Sequence, residues 1–336
     1  MTTSIRVGVI GAGRIGRIHA LNLSTATDGA ELHAVYDPDR AAAEACAARC
    51  RTARVVDEAA GLIEDPQIDA VVICSPTGHH AAQIERCAAA GKAILCEKPI
   101  DLALERIDGA LDAVRRAGVK LMVGFNRRFD PGFARARAMV LEGHIGTPHL
   151  VRITSRDPAP PPASYIRGSG GLFLDMTIHD LDMARWIVGD EVDEIHASGA
   201  NLCDPAIGEA GDIDTAILSL RYRGGALGAI DNSRRAVYGY DQRLEVFGDR
   251  GCVAVGNVPP TTAVLARADG VTSDGPLAFF LERYREAYRI EMQAFVDCLR
   301  FDRTPPVTGE DGRVPVLMAL AAERSRREGR PARVSV

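Results

Sequence analysis

Asp175, His179 and Asp182 lie four and then three residues apart in a stretch of helical pattern, so on a helix all three share one face. An imidazole beside carboxylates is held in one orientation and its charged form is stabilised. A base that takes a proton from an alcohol needs both. The same spacing equally describes a surface ion-pair face, worth roughly a few tenths of a kcal/mol. Metal binding on this face would call for a further His or Cys cluster, and none supports it. A second candidate is Lys98, in Glu97-Lys98-Pro99 at the end of a strand-like run. A lysine placed there can hold a substrate hydroxyl and offset the charge that develops on its oxygen as hydride leaves. The plain alternative is a surface lysine in a turn.

A hydride needs an acceptor, and the N-terminal segment supplies a place for one. Gly11-Ala12-Gly13-Arg14-Ile15-Gly16 follows the apolar run Ile5–Ile10, opens an amphipathic stretch, and is followed by a second strand ending in Asp37. In such a unit Gly11 permits the tight turn, Gly13 lets a pyrophosphate approach the backbone, and Gly16 lets helix pack on strand. The helix N-terminus offers free N–H groups and a positive dipole end to the phosphates. Asp37 is placed to accept hydrogen bonds from ribose hydroxyls and repels a 2′-phosphate, which favours NAD over NADP. Arg40, just beyond, is the residue that tempers this, since an arginine there can meet a 2′-phosphate. Arg14 reads either as a phosphate contact or as an exposed helix arginine. Ser75 and Thr77, after the strand Asp69–Cys74, are expected to line the nicotinamide-ribose side. His79 and His80 follow them; neighbours at a helix start diverge, so they read as helix-start residues rather than a metal pair.

The elements that must position these groups change character along the chain. Up to Gly124, short strands alternate with helices of 10–16 residues, the pattern of a parallel sheet with helices on both faces. Beyond Asn126 a helix at Pro131–Glu142, a strand at Leu150–Ser155, a proline-rich loop at Asp157–Pro162 and a helix at about Asp175–Val188 precede a run of strands. Those strands, Glu194–Gly199, Thr215–Tyr222, Ala226–Asn232, Arg243–Phe247, Cys252–Val255 and Thr262–Ala266, read as an antiparallel meander, and Leu277–Arg300 as one amphipathic helix. The expectation is an α/β Rossmann domain over 1–123 and an α+β domain over 124–336, the latter built on a large, mostly antiparallel, open-faced sheet, with the C-terminal helix free to pack back on the first domain.

Composition narrows the class. The chain has 336 residues, 46% apolar and 25% charged, enough for two cored domains. Forty Lys and Arg against 45 Asp and Glu give a net charge of −5 with the signs mixed, which disfavours nucleic acid. No apolar stretch approaches a bilayer span, and Met1–Arg6 leads straight into a strand-like run without a signal-peptide core. Eight cysteines stand singly without a C-x-x-C, as reduced thiols of a cytoplasmic protein do.

Four motifs in order, GAGRIGRIHA (11–20), CEKPI (96–100), GFNRRFDP (124–131) and GGLFLDMTIHDLDMARW (170–186), resemble the glucose–fructose oxidoreductase/inositol dehydrogenase family, often called Gfo/Idh/MocA. VRITSRDPAPPP (151–162), YGYDQRLEVFG (238–248) and the tail 308–331 are similar to its inositol-oxidising branch, so the likeness spans nearly the whole chain. The resemblance implies that Lys98, Asp175 and His179 are catalytic, with His179 the proton acceptor, Asp175 orienting it and touching the polyol, and Pro99 following a cis bond. It implies cofactor contacts at Gly11, Gly13, Arg14, Ile15, Gly16, Asp37, Ser75, Thr77, His80, Glu97 and Lys98. Arg127, Asp157, Asp182 and Tyr240 would join Lys98, Asp175 and His179 around the substrate ring. The implied reaction is NAD-dependent oxidation of myo-inositol to 2-keto-myo-inositol (scyllo-inosose), without a metal, in a homotetramer packed through the second domain's sheet. Another polyol or cyclic sugar (scyllo-inositol or an aldose) is the second reading, and a non-catalytic NAD(H) sensor the third.

Overall fold

A computed structural model describes residues 4–50 and 54–335; residues 1–3, read above as leading straight into a strand, lie outside them. The chain divides into two compact units. One holds the chain up to Phe129 together with Glu286–Val314, and the other holds Asp130–Arg285 and the chain from Pro315.

The first unit begins with β1 (Ile5–Ile10), α1 (Arg14–Thr25), β2 (Ala30–Tyr36), α2 (Arg40–Ala47), β3 (Arg54–Val55) and α3 (Ala59–Ile63). It continues with β4 (Ala70–Ile73), α4 (His80–Ala89), β5 (Ala93–Glu97), α5 (Leu104–Ala117) and β6 (Leu121–Gly124). The six strands pair in the order β3-β2-β1-β4-β5-β6, all parallel. Every residue of β4 and β6 is buried, as a strand covered by helices on both faces requires. The order reverses between β1 and β4, and in such sheets the ligand crevice opens at the carboxyl ends of those two strands. Residues far along the chain complete this unit. Arg313 forms a two-pronged pair with Asp108 at 2.6 and 3.1 Å, Arg128 reaches Asp311 at 3.0 Å, and Lys120 meets Asp302 at 2.8 Å.

The second unit opens with α6 (Pro131–Leu141), β7 (Pro148–Arg156), α7 (Ala163–Ser169), α8 (Ile178–Val188), β8 (Val192–Ala200), α9 (Pro205–Glu209), β9 (Thr215–Tyr222) and β10 (Leu227–Ser233). After these come β11 (Asp241–Gly248), β12 (Gly251–Val255), the hairpin β13 (Val264–Arg267) and β14 (Gly270–Ser273), and α10 (Phe280–Arg283). The chain then runs through α11 (Arg285–Arg300) and α12 (Gly309–Glu328) to β15 (Ala332–Arg333). A seven-stranded sheet has the order β12-β11-β7-β10-β9-β8-β15, with only β7 and β10 parallel. The mostly antiparallel sheet is as the sequence implies, but it is no simple meander, because β7 inserts between β10 and β11. Two boundaries also differ. The strand expected at Thr262–Ala266 pairs only with β14, apart from the large sheet. The helix expected over Leu277–Arg300 is broken at Tyr284 into α10 and α11.

On this sheet Ala216, Leu218, Leu220 and Tyr222 of β9 are buried on one face, while Ile217 points the other way and is 64% exposed. Leu227 of β10 and Phe247 of β11 are exposed as well, so the second face carries uncovered apolar surface. Among the described residues no helix is long and apolar enough to cross a membrane. All eight cysteines are unpaired, and burial pushes the thiols of Cys46 and Cys87 to about 11 and about 12, which leaves them unreactive at neutral pH.

Candidate active site

The first unit's crevice fits a dinucleotide. Gly11 has φ +97°, and a Cβ there would stand 2.6 Å from the carbonyl of Cys74, just after β4, so only glycine lets the two strand ends approach. A Cβ on Gly16 would lie 1.8 Å from the Gly11 carbonyl oxygen, which makes this position glycine for packing α1 against the loop. At Gly13 a Cβ would meet nothing within 4 Å, and α1 begins there with no side chain capping its N–H groups. Open space in front of uncapped donors suits a pyrophosphate. Asp37 Oδ2 accepts the Ala12 N–H at 2.6 Å and Oδ1 that of Asp39 at 2.9 Å, so the acid at the end of β2 is tied to the glycine loop. Arg40, which tempered the preference for NAD, is exposed and pairs with Glu44 at 2.8 Å and with Asp57. Arg14 is exposed and Ile15 half-buried at the start of α1.

The ends of β4 and β5 are fastened together by a histidine. His79 is exposed and His80 buried, so the two neighbours do diverge. The ring of His80 has Nδ1 2.8 Å from the Pro99 carbonyl and Nε2 2.6 Å from that of Ser75. Burial pulls its pKa below the ordinary value, while the two carbonyl oxygens, which only a doubly protonated ring can both donate to, act in the opposite direction. It thereby connects the Ser75-Pro76-Thr77 turn to the Lys98–Pro99 bond, which is cis. Ser75 donates to Gln83 at 2.7 Å, and Thr77 and Lys98 are half-buried. Arg127 is buried in the single turn Asn126–Phe129 that follows β6.

In the second unit, the helix expected to begin near Asp175 starts as a wide π turn, Phe173–Thr177, which runs into α8. Such turns occur frequently at functional sites. Asp175 and His179 are half-buried while every residue between them is buried, so both lie on the accessible side of this segment. Asp182, in the same helix, is fully buried. Thr177 donates to Asn232 Oδ1 at 2.6 Å, and Asn232 donates to Asp180 at 2.8 Å, pinning the helix start to β10.

Asp175 is gripped from both sides. Tyr165 on α7 donates to one oxygen at 2.8 Å, and the buried guanidinium of Arg234, just past β10, donates to the other at 3.0 Å. Asp157 lies 3.8 Å from the same guanidinium. Sequence reasoning named Asp157 and Asp175 but missed Arg234, the cation that brings them together, and Tyr165. An arginine at a strand end was the only available signal for the first. Tyr240 is buried, edge-on to Tyr284 at 6.0 Å and to Phe279 at 6.4 Å.

A doubly wound parallel sheet with this glycine crevice, joined to a second unit bearing an acid–histidine face, defines a dinucleotide-dependent oxidoreductase. Residues 5–125 match the family described as "Oxidoreductase family, NAD-binding Rossmann fold" (GFO_IDH_MocA), and residues 133–254 match the GFO/IDH/MocA C-terminal domain. The chain belongs to the Gfo/Idh/MocA family of NAD-dependent oxidoreductases. It is 49% identical over 326 residues to the myo-inositol 2-dehydrogenase of Thermotoga maritima, covering 97% of each chain. A scyllo-inositol dehydrogenase from Lactobacillus casei, solved with bound NAD(H) and scyllo-inositol, superimposes with a TM-score of 0.93 at 32% identity, over 99% of this chain and 100% of that one. A myo-inositol dehydrogenase from Lactobacillus casei, in complex with NAD(H) and myo-inositol, does so with a TM-score of 0.88 at 28% identity, over 99% of this chain and 98% of the other.

Proposed function

We propose that the protein oxidises myo-inositol at a secondary ring hydroxyl, giving 2-keto-myo-inositol (scyllo-inosose), NADH and a proton, as a step of inositol catabolism in the cytoplasm. The observation that carries this is the half-buried Asp175–His179 face, with Asp175 fixed by Tyr165 and Arg234, in a chain so similar to an inositol dehydrogenase. NAD supplies the hydride acceptor when bound. His179 takes the hydroxyl proton as the carbon–hydrogen bond breaks. Asp175 orients the imidazole and accepts a hydrogen bond from a neighbouring hydroxyl, and Lys98 donates one to the reacting oxygen and offsets its charge. Arg127, Asp157, Asp182 and Tyr240 are assigned to the remaining ring hydroxyls. A site built to pair with hydroxyls rejects analogues that leave its polar groups unpaired, which suits a polyol.

A panel of polyols and sugars tested with NAD+ and NADP+ is expected to give its highest kcat/KM with myo-inositol and NAD+. A ten-fold preference for scyllo-inositol, the substrate of one structural relative, or for an aldose overturns the substrate assignment. The absence of turnover with any of them, with NADH still binding, supports the sensor instead.

The open sheet face with Ile217, Leu227 and Phe247 supports a homotetramer assembled through it. Ile217→Arg is expected to shift the mass measured by light scattering to a smaller species. An unchanged tetramer places the interface elsewhere, and a wild-type monomer removes the assembly.

A further inference from the structure

The acid helix and the glycine crevice leave one buried charge cluster of the first unit unused. Glu291 on α11 is completely buried, and neither of its carboxyl oxygens has a hydrogen-bond partner. One oxygen of Glu291, one of Glu97 and a ring nitrogen of His19 all lie within 4.8 Å of one another. His19, on α1, is also fully buried, and its Nε2 stands 3.0 Å from Glu97 Oε1. Tyr288, one turn before Glu291, meets the His19 ring edge-on at 5.7 Å. The carboxyl of Glu97 lies against Gly124 of β6, where a Cβ would approach to 3.0 Å. The ionisable groups that face Glu291 are therefore Glu97 from β5, His19 from α1 and, further off, the Cys74 thiol after β4.

Two carboxylates this close, away from water, do not both ionise, because each raises the cost of charging the other. Of the two, Glu97 has a partner in His19 and retains some exposure, whereas Glu291 has neither. Burial first, and the Glu97 charge second, push Glu291 well above the ordinary carboxylate range.

We propose that Glu291 is a positioning residue: a neutral acid that holds its proton toward Glu97, fixing that carboxylate between His19 and α11 and with it the backbone leading to Lys98. Glu97 is joined directly to Lys98, so a shift in its carboxyl is transmitted to the lysine's own peptide. The kinetic part of this rests on the proposed role of Lys98; the protonation does not. A divalent cation held by the same three side chains is the competing occupant. It requires both carboxylates ionised and additional ligands. Glutamine separates the two, since an amide donates to Glu97 as the neutral acid does but brings no charge to a metal.

The experiment uses the full chain as wild type, Glu291→Gln and Glu291→Leu. The infrared spectrum of the wild type at pH 8 is expected to show the carbonyl band of a neutral carboxylic acid, shifted in D2O and lost in Glu291→Gln. Glu291→Gln should keep kcat and the KM for NAD within about three-fold, whereas Glu291→Leu should lower kcat about ten-fold or more with NADH affinity retained. The linkage sign follows from a raised native pKa. Between the ordinary value of 4.5 and the raised one the folded form holds a proton that the unfolded form has released, so wild-type stability falls as pH rises through that window. Glu291→Gln should therefore melt above the wild type at pH 8, by a margin that shrinks toward pH 5. Absence of the band, Glu291→Gln as impaired as Glu291→Leu, or Glu291→Leu as active as wild type overturns the proposal, as does a stoichiometric metal in the purified protein that Glu291→Gln loses. If Glu291→Leu does not fold, the glutamine variant and the infrared band still decide it. A wild type that turns over no polyol but shows the band sinks the proposed reaction while leaving the proton on Glu291.

Discussion

His179→Ala is expected to lower kcat for polyol oxidation by about 10²–10⁴-fold, the usual contribution of a positioned base, with NADH affinity changed by no more than about two-fold. The imidazole stands in the first turn of α8, and that turn is tied to β10 through Thr177, Asn232 and Asp180. Removing the ring leaves this scaffold in place, so the loss should fall on the chemical step and not on coenzyme binding. A base must be uncharged to accept a proton, so the wild-type rate of oxidation should rise with pH as the imidazole gives up its own. Steady-state rates followed through NADH absorbance, with NADH titrated by fluorescence, test both statements. A variant that keeps a tenth of the wild-type kcat, or a wild-type profile flat from pH 6 to 9, removes His179 from the role.

Arg234→Met should have the largest effect on stability. The guanidinium side chain is 3% exposed and pairs with Asp175, itself 11% exposed, while Asp157 lies close by. Methionine fills much of the volume but leaves a carboxylate buried without its cation, which typically costs about 3–5 kcal/mol. In a protein of this size that is a fall in melting midpoint of roughly 4–7 °C. Adding Asp175→Asn should restore part of the loss, because the stranded charge is then gone, yet activity should not return. An unchanged midpoint in the single variant, or no recovery in the double one, shows that the pair contributes little.

What could be read in the sequence was local or periodic. Gly11, Gly13, Gly16 and Asp37 belong to a single strand–helix–strand unit, so their joint meaning does not depend on the rest of the fold. The strands of the second unit were legible because Ala216, Leu218, Leu220 and Tyr222 alternate with polar or exposed positions. Their order was not. Placing β7 between β10 and β11 depends on pairings across 77 to 100 residues that no local pattern encodes. The same distance hid the partners of the site. Arg234 is 59 positions from Asp175, and Glu291 reaches Glu97 only after the chain has passed through Asp130–Arg285 of the second unit. The π turn was unreadable for another reason: its apolar spacing is that of a helix, and the extra residue in the turn shows only once the backbone bonds are drawn.

The interleaving of the two units has a consequence for biosynthesis. Asp108, Lys120 and Arg128 each pair with a residue among 302–313, and β8 acquires its outer neighbour only when β15 arrives. A polypeptide emerging from the ribosome therefore cannot finish its N-terminal half first and its C-terminal half second. Until the last few dozen residues are translated, both halves hold unfinished surfaces, the kind of exposure that makes partly folded chains prone to aggregate.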